Sequence, residues 1–458
     1  MILGQVSWLD CFVFLVFLAP QLIIHVGFFP TLFCAIKALP FLCMAIPTRS
    51  KSLYQPPVNE RGGHKCWWSI LIRNLANLAS AAVIRMPLAF IYERLLLAKP
   101  HQPPFVQQAS WFEDVVIRCV RYAFACIPAE IGRVFFSKGA SVPFLRWRML
   151  RHGYVRKPVH WEEVQRKDFQ GVWVIKDKTK MPDVVVYYAH GGGFSMGTSY
   201  FYLEFLLAFH TLLSDPSYTG TRFQNPAILA LEYTLVPQAS YPTQLHQAIA
   251  GYKFLLTKTH DPSRIVFSGD SAGGTIILSL LLHIGNTKAN DKGGKPRAVS
   301  EGGNDIQGVI PALAVLISPW TTLISSKDKN TKSDYLDANN LHHYAQQYVG
   351  SRYSATDPSI SPGNCKDVSW WRRAAPSKGL LVVWGKEEVF APEIREWVEL
   401  LEEAGVSVES REERGGIHAW PVASLFLSST REERIKGLVQ IVQYIGGNMV
   451  VDKEDKGR

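Results

Sequence analysis

One stretch, Arg264–Gly274 (RIVFSGDSAGG), restricts the fold more than any other part of this 458-residue chain. The β-branched run Ile265–Ser268 passes without a loop into Gly-Asp-Ser-Ala-Gly, and a helical pattern, TIILSLLLH, begins directly behind it. A tight strand-to-helix turn satisfies this pattern. In such a turn Gly269 and Gly273 leave room for Ser271 to hold a strained backbone with its hydroxyl exposed, while the helix start aims its free amides at the same point. The flanking sequence agrees. Candidate strands Val172–Ile175, Val184–Tyr188, Ile228–Glu232, Ile265–Ser268, Leu313–Ile317, Leu380–Trp384 and Val406–Arg411 alternate with helical stretches at Leu245–Thr257, Thr275–His283, Glu393–Glu403 and Arg431–Tyr444. That alternation predicts an α/β class with a mainly parallel central sheet flanked by helices.

A bare G-x-S-x-G is weak support by itself, since a chain of this length matches it by chance about one time in six. A second match is present, Gly193-Phe194-Ser195-Met196-Gly197. Several loop residues separate Ser195 from the strand ending near Tyr188, whereas Ser268 leads directly into Gly269, and Met196 would crowd the position where Ser271 is followed by Ala272-Gly273-Gly274. Ser271 is therefore the expected nucleophile. The loop His190-Gly191-Gly192-Gly193 lies upstream, after Val184–Tyr188. Its consecutive glycines let the chain turn N–H groups toward a substrate, so Gly192, Gly193 and the Ala272 amide are the candidate oxyanion hole. His190 and Gly191 are read as support for that loop, and Asp270 as support for the turn. Neither G-x-x-x-x-G-K-S/T nor G-x-G-x-x-G is present to favour a phosphate site.

An acid and a histidine must follow the nucleophile in chain order. Leu380–Trp384 is followed by Gly385-Lys386-Glu387-Glu388, and Val406–Arg411 by Gly415-Gly416-Ile417-His418. Glu388 is the expected acid, with Glu387 as the alternative that chain order does not separate from it. His418 is the expected general base, its Nδ1–H held by the carboxylate so that Nε2 faces the serine.

From Cys11 to Ile36 there are 26 consecutive residues without Asp, Glu, Lys or Arg, and about 20 apolar residues cross a bilayer. An uncleaved membrane anchor is expected over 1–47, because no Lys or Arg precedes the run and no A-x-A-like cleavage site follows it. Pro20 and Pro30 leave open whether it spans or dips as a hairpin. The net charge of +10 is concentrated: Pro47–His160 holds 17 Lys/Arg against 5 Asp/Glu. Next to an apolar segment, that excess points to anionic lipid as partner and not to nucleic acid. Leu75–Ala98, interrupted by Arg85 and Glu93, reads as an interfacial helix with Arg94 and Lys99 at the headgroups beside Trp67 and Trp68. Residues 48–165 are thus expected to form a basic juxtamembrane and helical cap region, with helices near Trp111–Ile127 and Ala129–Phe136. Residues 166–447 would be the catalytic domain, with a loop at Asn286–Gly308, and 448–458 a charged tail. The seven cysteines show no CxxC spacing, so no metal site or disulfide framework is expected.

The motifs together resemble hormone-sensitive-lipase-type esterases of the α/β-hydrolase superfamily. The resemblance rests on H-G-G-G at His190–Gly193, G-D-S-A-G-G at Gly269–Gly274, Tyr233-Thr234-Leu235-Val236-Pro237 with Tyr241-Pro242, and Ser318-Pro319-Trp320. It covers roughly Val172 to Tyr444. It implies an α/β-hydrolase fold with a helical cap, and hydrolysis of a small apolar carboxylic ester without metal or organic cofactor. It also implies that Trp111–Arg148 and a piece inserted after Trp320, around Tyr335–Tyr348, cover an acyl pocket. With the N-terminal segment, the chain is similar to arylacetamide deacetylases and fungal steryl acetyl hydrolases, which implies the endoplasmic reticulum membrane. Glutamate at 388, where the family more often has aspartate, is a departure. Amide hydrolysis or acyl transfer would use the same residues, and a binding protein of this fold would be expected to lack a triad member.

Overall fold

A parallel strand covered on both faces must be apolar almost throughout. Four of the runs named above meet that condition, for β3 (Val185–Ala189), β5 (Ile265–Asp270), β6 (Leu313–Ile317) and β7 (Leu380–Gly385) are buried at every position. The computed structural model describes residues 1–29, 31–32, 90–156, 159–220, 223–286 and 306–449. With β1 (His160–Gln165), β2 (Gln170–Ile175), β4 (Ala227–Glu232) and β8 (Val408–Glu413), the strands form one eight-stranded sheet in the order β1-β2-β4-β3-β5-β6-β7-β8. Pairing is antiparallel from β1 through β2 to β4 and parallel from β4 to β8. The strand not announced by the sequence is β1, whose HWEEVQ lies at the sheet edge and is only half-buried.

Among the described residues the helices of seven or more residues are α1 (Trp8–His25), α2 (Trp111–Cys126), α3 (Ala129–Phe135), α4 (Lys138–Arg151), α5 (Leu203–Leu213), α6 (Thr243–Thr259), α7 (Ala272–Ile284), α8 (Ala338–Val349), α9 (Val368–Ala374), α10 (Ala391–Glu403), α11 (Trp420–Leu427) and α12 (Arg431–Asn448). Two apolar layers sandwich the sheet. One joins α6, α7 and α10 to the Tyr187, Leu229, Phe267 and Leu316 face, and the other joins α5 and α12 to the Val186, Ile228, Val266 and Val315 face. Successive residues of each strand thus point into opposite layers, which is why the strands carry no polar alternation.

Among the described residues α1 is the helix long and apolar enough to cross a membrane, and Pro20 lies within it. It is not a free extension: Phe14 and Leu18 pack with Val134 of α3 and Ala140 of α4. The linker, most of the interfacial stretch (75–89), the loop over 287–305 and the tail from 450 lie outside the described residues. Arg94, expected at the headgroups, is instead turned inward, donating to the Ala109 carbonyl at 2.6 Å and paired with Asp114 at 3.3 Å. The reason is local: Glu93 is itself buried against Arg118 at 2.9 Å, so this turn is folded into a charge cluster with α2.

Candidate active site

Ser271 lies at the β5 to α7 junction with φ 51° and ψ −122°, a strained conformation for a residue with a Cβ. The turn closes because its neighbours are glycine. A Cβ on Gly273 would stand 2.1 Å from the Ala189 carbonyl oxygen, and one on Gly269 2.8 Å from the Gly273 carbonyl carbon, so helix and sheet approach to backbone contact. The Ser271 amide donates to Ile317 at 3.0 Å and its carbonyl accepts from Trp320 at 3.1 Å, which ties the bend to the end of β6. Ala272 opens α7, where an amide has no partner within the helix.

The His190–Gly193 loop follows β3, the neighbour of β5. Gly192 (φ 117°), Gly193 (φ 60°) and Phe194 (φ 59°) all have left-handed backbones, and a Cβ on Gly192 would meet the Met196 carbonyl at 2.1 Å. The Gly192 carbonyl accepts from Ser195 and Met196 at 3.1 and 3.0 Å and so is folded back into the turn. Asp270 holds this loop to the serine turn. Its carboxylate accepts from Tyr188, Tyr202 and the Gly191 amide at 2.7, 2.7 and 2.9 Å, and burial raises its pKa against those three bonds and the His418 charge. His190 stacks on Tyr233 with ring centroids 4.3 Å apart, and burial pushes its pKa down to about 4, so it stands neutral as a prop. Ser195 is fully buried within the turn.

Glu388 follows β7 and His418 follows β8, both buried, with His418 Nδ1 3.8 Å from Glu388 Oε1. This is an ion-pair distance, longer than a hydrogen bond. The other carboxylate oxygen, Oε2, accepts from the Ser318 hydroxyl at 2.6 Å and the Gly385 amide at 3.0 Å. Burial raises the Glu388 pKa. Burial alone would lower that of His418, but Glu388, Asp334 and Asp270 outweigh it and leave the imidazole above its ordinary range. Glu387, the alternative acid, is half-exposed next door.

Two further residues connect these turns. Ser318, which had appeared only within the S-P-W motif, accepts from the Ala419 amide at 2.9 Å while donating to Glu388. It lies between Ile317 and Trp320, the residues bonded to Ser271. Asp334, fully buried, accepts from the amides of His418 at 3.0 Å, Val389 at 2.9 Å and Tyr335 at 2.9 Å, so one carboxylate bridges the acid and histidine turns. Nothing in the polar run KDKNTKSDYLD marked it. Arg121 of α2 donates to the Asp334 carbonyl at 2.6 Å, linking the bridge to α2.

Buried aromatic rings pack between the loops. Phe194 stacks on Tyr348 of α8 at 3.7 Å and neighbours Trp320 at 5.7 Å; Trp320 stacks on Phe390 at 5.3 Å, and Phe390 meets His418 edge-on at 5.1 Å. Tyr335 also meets the imidazole edge-on, at 5.8 Å. The piece inserted after Trp320 thus reaches both the glycine loop and the histidine.

A sheet of this order, with its three candidate side chains on the turns after β5, β7 and β8, defines an α/β-hydrolase. The sequence model of a family described as having the alpha/beta hydrolase fold matches residues 186–422, and the chain belongs to that family. It is 28% identical over 280 residues, 58% of this chain and 68% of the relative, to a Schizosaccharomyces pombe protein named as a steryl acetyl hydrolase. It is 31% identical over 129 residues to mouse (Mus musculus) neutral cholesterol ester hydrolase 1, covering 26% of this chain and 29% of that one. Among solved structures, an esterase from the bacterial hormone-sensitive lipase family superposes with a TM-score of 0.53 at 20% identity, over 74% of this chain and 99% of that one. That likeness is one of fold.

Proposed function

We propose that the chain is a serine carboxylic ester hydrolase that acts on an apolar acetyl or steryl ester through Ser271, His418 and Glu388. The observation that carries this reading is the strained Ser271 bend, which serves no packing purpose that an unstrained residue would not serve better. Ser271 attacks the ester carbonyl as His418 takes its proton, and the amides of Gly192, Gly193 and Ala272 hold the oxyanion. Collapse of the tetrahedral species releases the alcohol, protonated by His418, and leaves an acyl-enzyme. Water, deprotonated by His418, then releases the acid. Glu388 holds the imidazole and balances the charge it acquires.

The names of the relatives support the substrate class, and the aromatic surroundings of His418, Phe390 and Tyr335, agree with it. The exposed apolar α1 and the resemblance to anchored esterases support a membrane-associated enzyme of the endoplasmic reticulum. The test is turnover of an ester panel by purified protein: p-nitrophenyl acetate and longer esters, a steryl acetate, and a matched aryl amide. Turnover of acetyl or steryl esters ahead of the amide is expected. Binding of these compounds without turnover would overturn the reading.

A further inference from the structure

The two ends of the N-terminal excursion are fastened to one body. Before α1, Leu3 is buried against the catalytic layer that contains α5, Val6 donates to the Phe426 carbonyl at 2.8 Å, and Arg151 donates to Ser7 at 2.9 Å. Two residues into α1, Asp10 is fully buried, pairing with Arg148 at 3.2 Å and Arg151 at 3.0 Å and accepting from Trp147 at 3.1 Å. Arg148 in turn makes a bidentate pair with Glu204 of α5 at 2.7 and 2.8 Å. The chain comes back at Phe90, buried and in edge contact with Trp111 at 5.4 Å, next to Phe112, which touches Trp8 at 5.0 Å. A chain that leaves a body and returns to it crosses a bilayer an even number of times or not at all.

The face of α1 opposite Phe14 and Leu18 carries exposed Trp8, Phe12, Val16 and Ile24 at helical spacing. These are 53–70% exposed, far more than a packed helix leaves open. Beside it, α4 and the residues after it present Leu150 and Val155 among exposed Arg146, Arg151 and Arg156. An apolar stripe bordered by arginines complements the anionic headgroups and upper acyl chains of one leaflet, where such a helix lies in plane at a depth of about 5–10 Å.

We infer that the protein docks from one side on an anionic phospholipid surface through the outer stripe of α1. The apolar segment is then not a single-span anchor, and the N-terminus and catalytic domain share one side. This inference rests on the membrane-associated part of the reading above. In such an arrangement α1 also holds the cap helices α3 and α4 against the lipid, so an apolar ester could pass from the leaflet to the cap.

The full chain, carrying one epitope ahead of Met1 and another after Arg458, is to be tested in sealed microsomes by protease protection. Its flotation on phosphatidylcholine vesicles with and without phosphatidylserine is to be compared with that of Phe12→Glu/Val16→Glu. Both epitopes should be digested together or protected together. Flotation should increase with phosphatidylserine and be lost in the double variant, which should keep p-nitrophenyl acetate hydrolysis within about two-fold, as surface changes do. Protection of one epitope alone would overturn one-sided docking while leaving membrane association standing. Undiminished flotation of the variant would overturn the assignment of the face. A wild-type chain that binds neither microsomes nor vesicles would remove the membrane reading itself, with ester turnover unaffected.

Discussion

Replacing Asp334 by asparagine removes one negative charge and changes one atom from acceptor to donor. In the native protein Oδ1 accepts from the His418 and Tyr335 amides and Oδ2 from Val389, and the side chain is fully buried. An asparagine carries a single carbonyl oxygen, so at least one amide must face an NH2 group with no water to replace the lost acceptor. A hydrogen bond to a charged group contributes about 1.5–3 kcal/mol. If that loss falls on the alignment of the two turns, kcat/KM should fall by roughly 10- to 150-fold. The electrostatic part has its own signature. Asp334 helps to hold the His418 pKa up, and a general base works only when neutral, so activity is lost as pH falls through that pKa. Without Asp334, the acid limb of the kcat/KM profile on p-nitrophenyl acetate should move to lower pH; Glu388, Asp270 and Tyr335 still face the ring. A variant within two-fold of wild type across the profile would refute the bridging role. A loss of rate with lowered Tm and an unmoved acid limb would reduce Asp334 to a structural residue.

Glu388→Gln should lower kcat by about 10³–10⁴-fold, the scale seen when a triad carboxylate is neutralised, whereas Glu387→Gln, half-exposed, should stay within a few-fold in the same assay. Gly192→Ala puts a Cβ 2.1 Å from the Met196 carbonyl at φ 117°, so the loop must reshape; a loss of about 10²–10³-fold in kcat is expected from a displaced oxyanion donor. Arg148→Met leaves the buried Glu204 without its cation and Asp10 with Arg151 as its remaining one; a destabilisation of about 3–5 kcal/mol is expected in denaturant titration. A change below about 1 kcal/mol there would mean that α1 is not fastened to the domain as described.

The parallel strands were legible because burial on both faces leaves short β-branched runs, and Leu313–Ile317 was read with its observed ends. Strand β1 was not, since an edge strand with Glu162 and Glu163 exposed carries no such run. The turns bearing Ser271, Glu388 and His418 were legible because glycines and chain order mark them. Asp334 and Ser318 were not, because the bonds that join the turns, to the Val389, His418 and Ala419 amides and the Glu388 carboxylate, reach 55 to 101 residues along the chain, which no local pattern records. The same holds for α1. Its apolar composition announced a membrane segment, but the partner of Asp10 is Arg148, 138 residues further on, and only the folded chain shows that the helix is fastened at its start.

If Ser271 is the nucleophile, a fluorophosphonate reacts there and nowhere else. Intact mass followed by peptide mapping should find one adduct per chain, on the peptide holding Ser271, absent in Ser271→Ala and present in Ser195→Ala. An adduct that persists in Ser271→Ala, or that maps to Ser195, would mean that Ser271 is not the nucleophile.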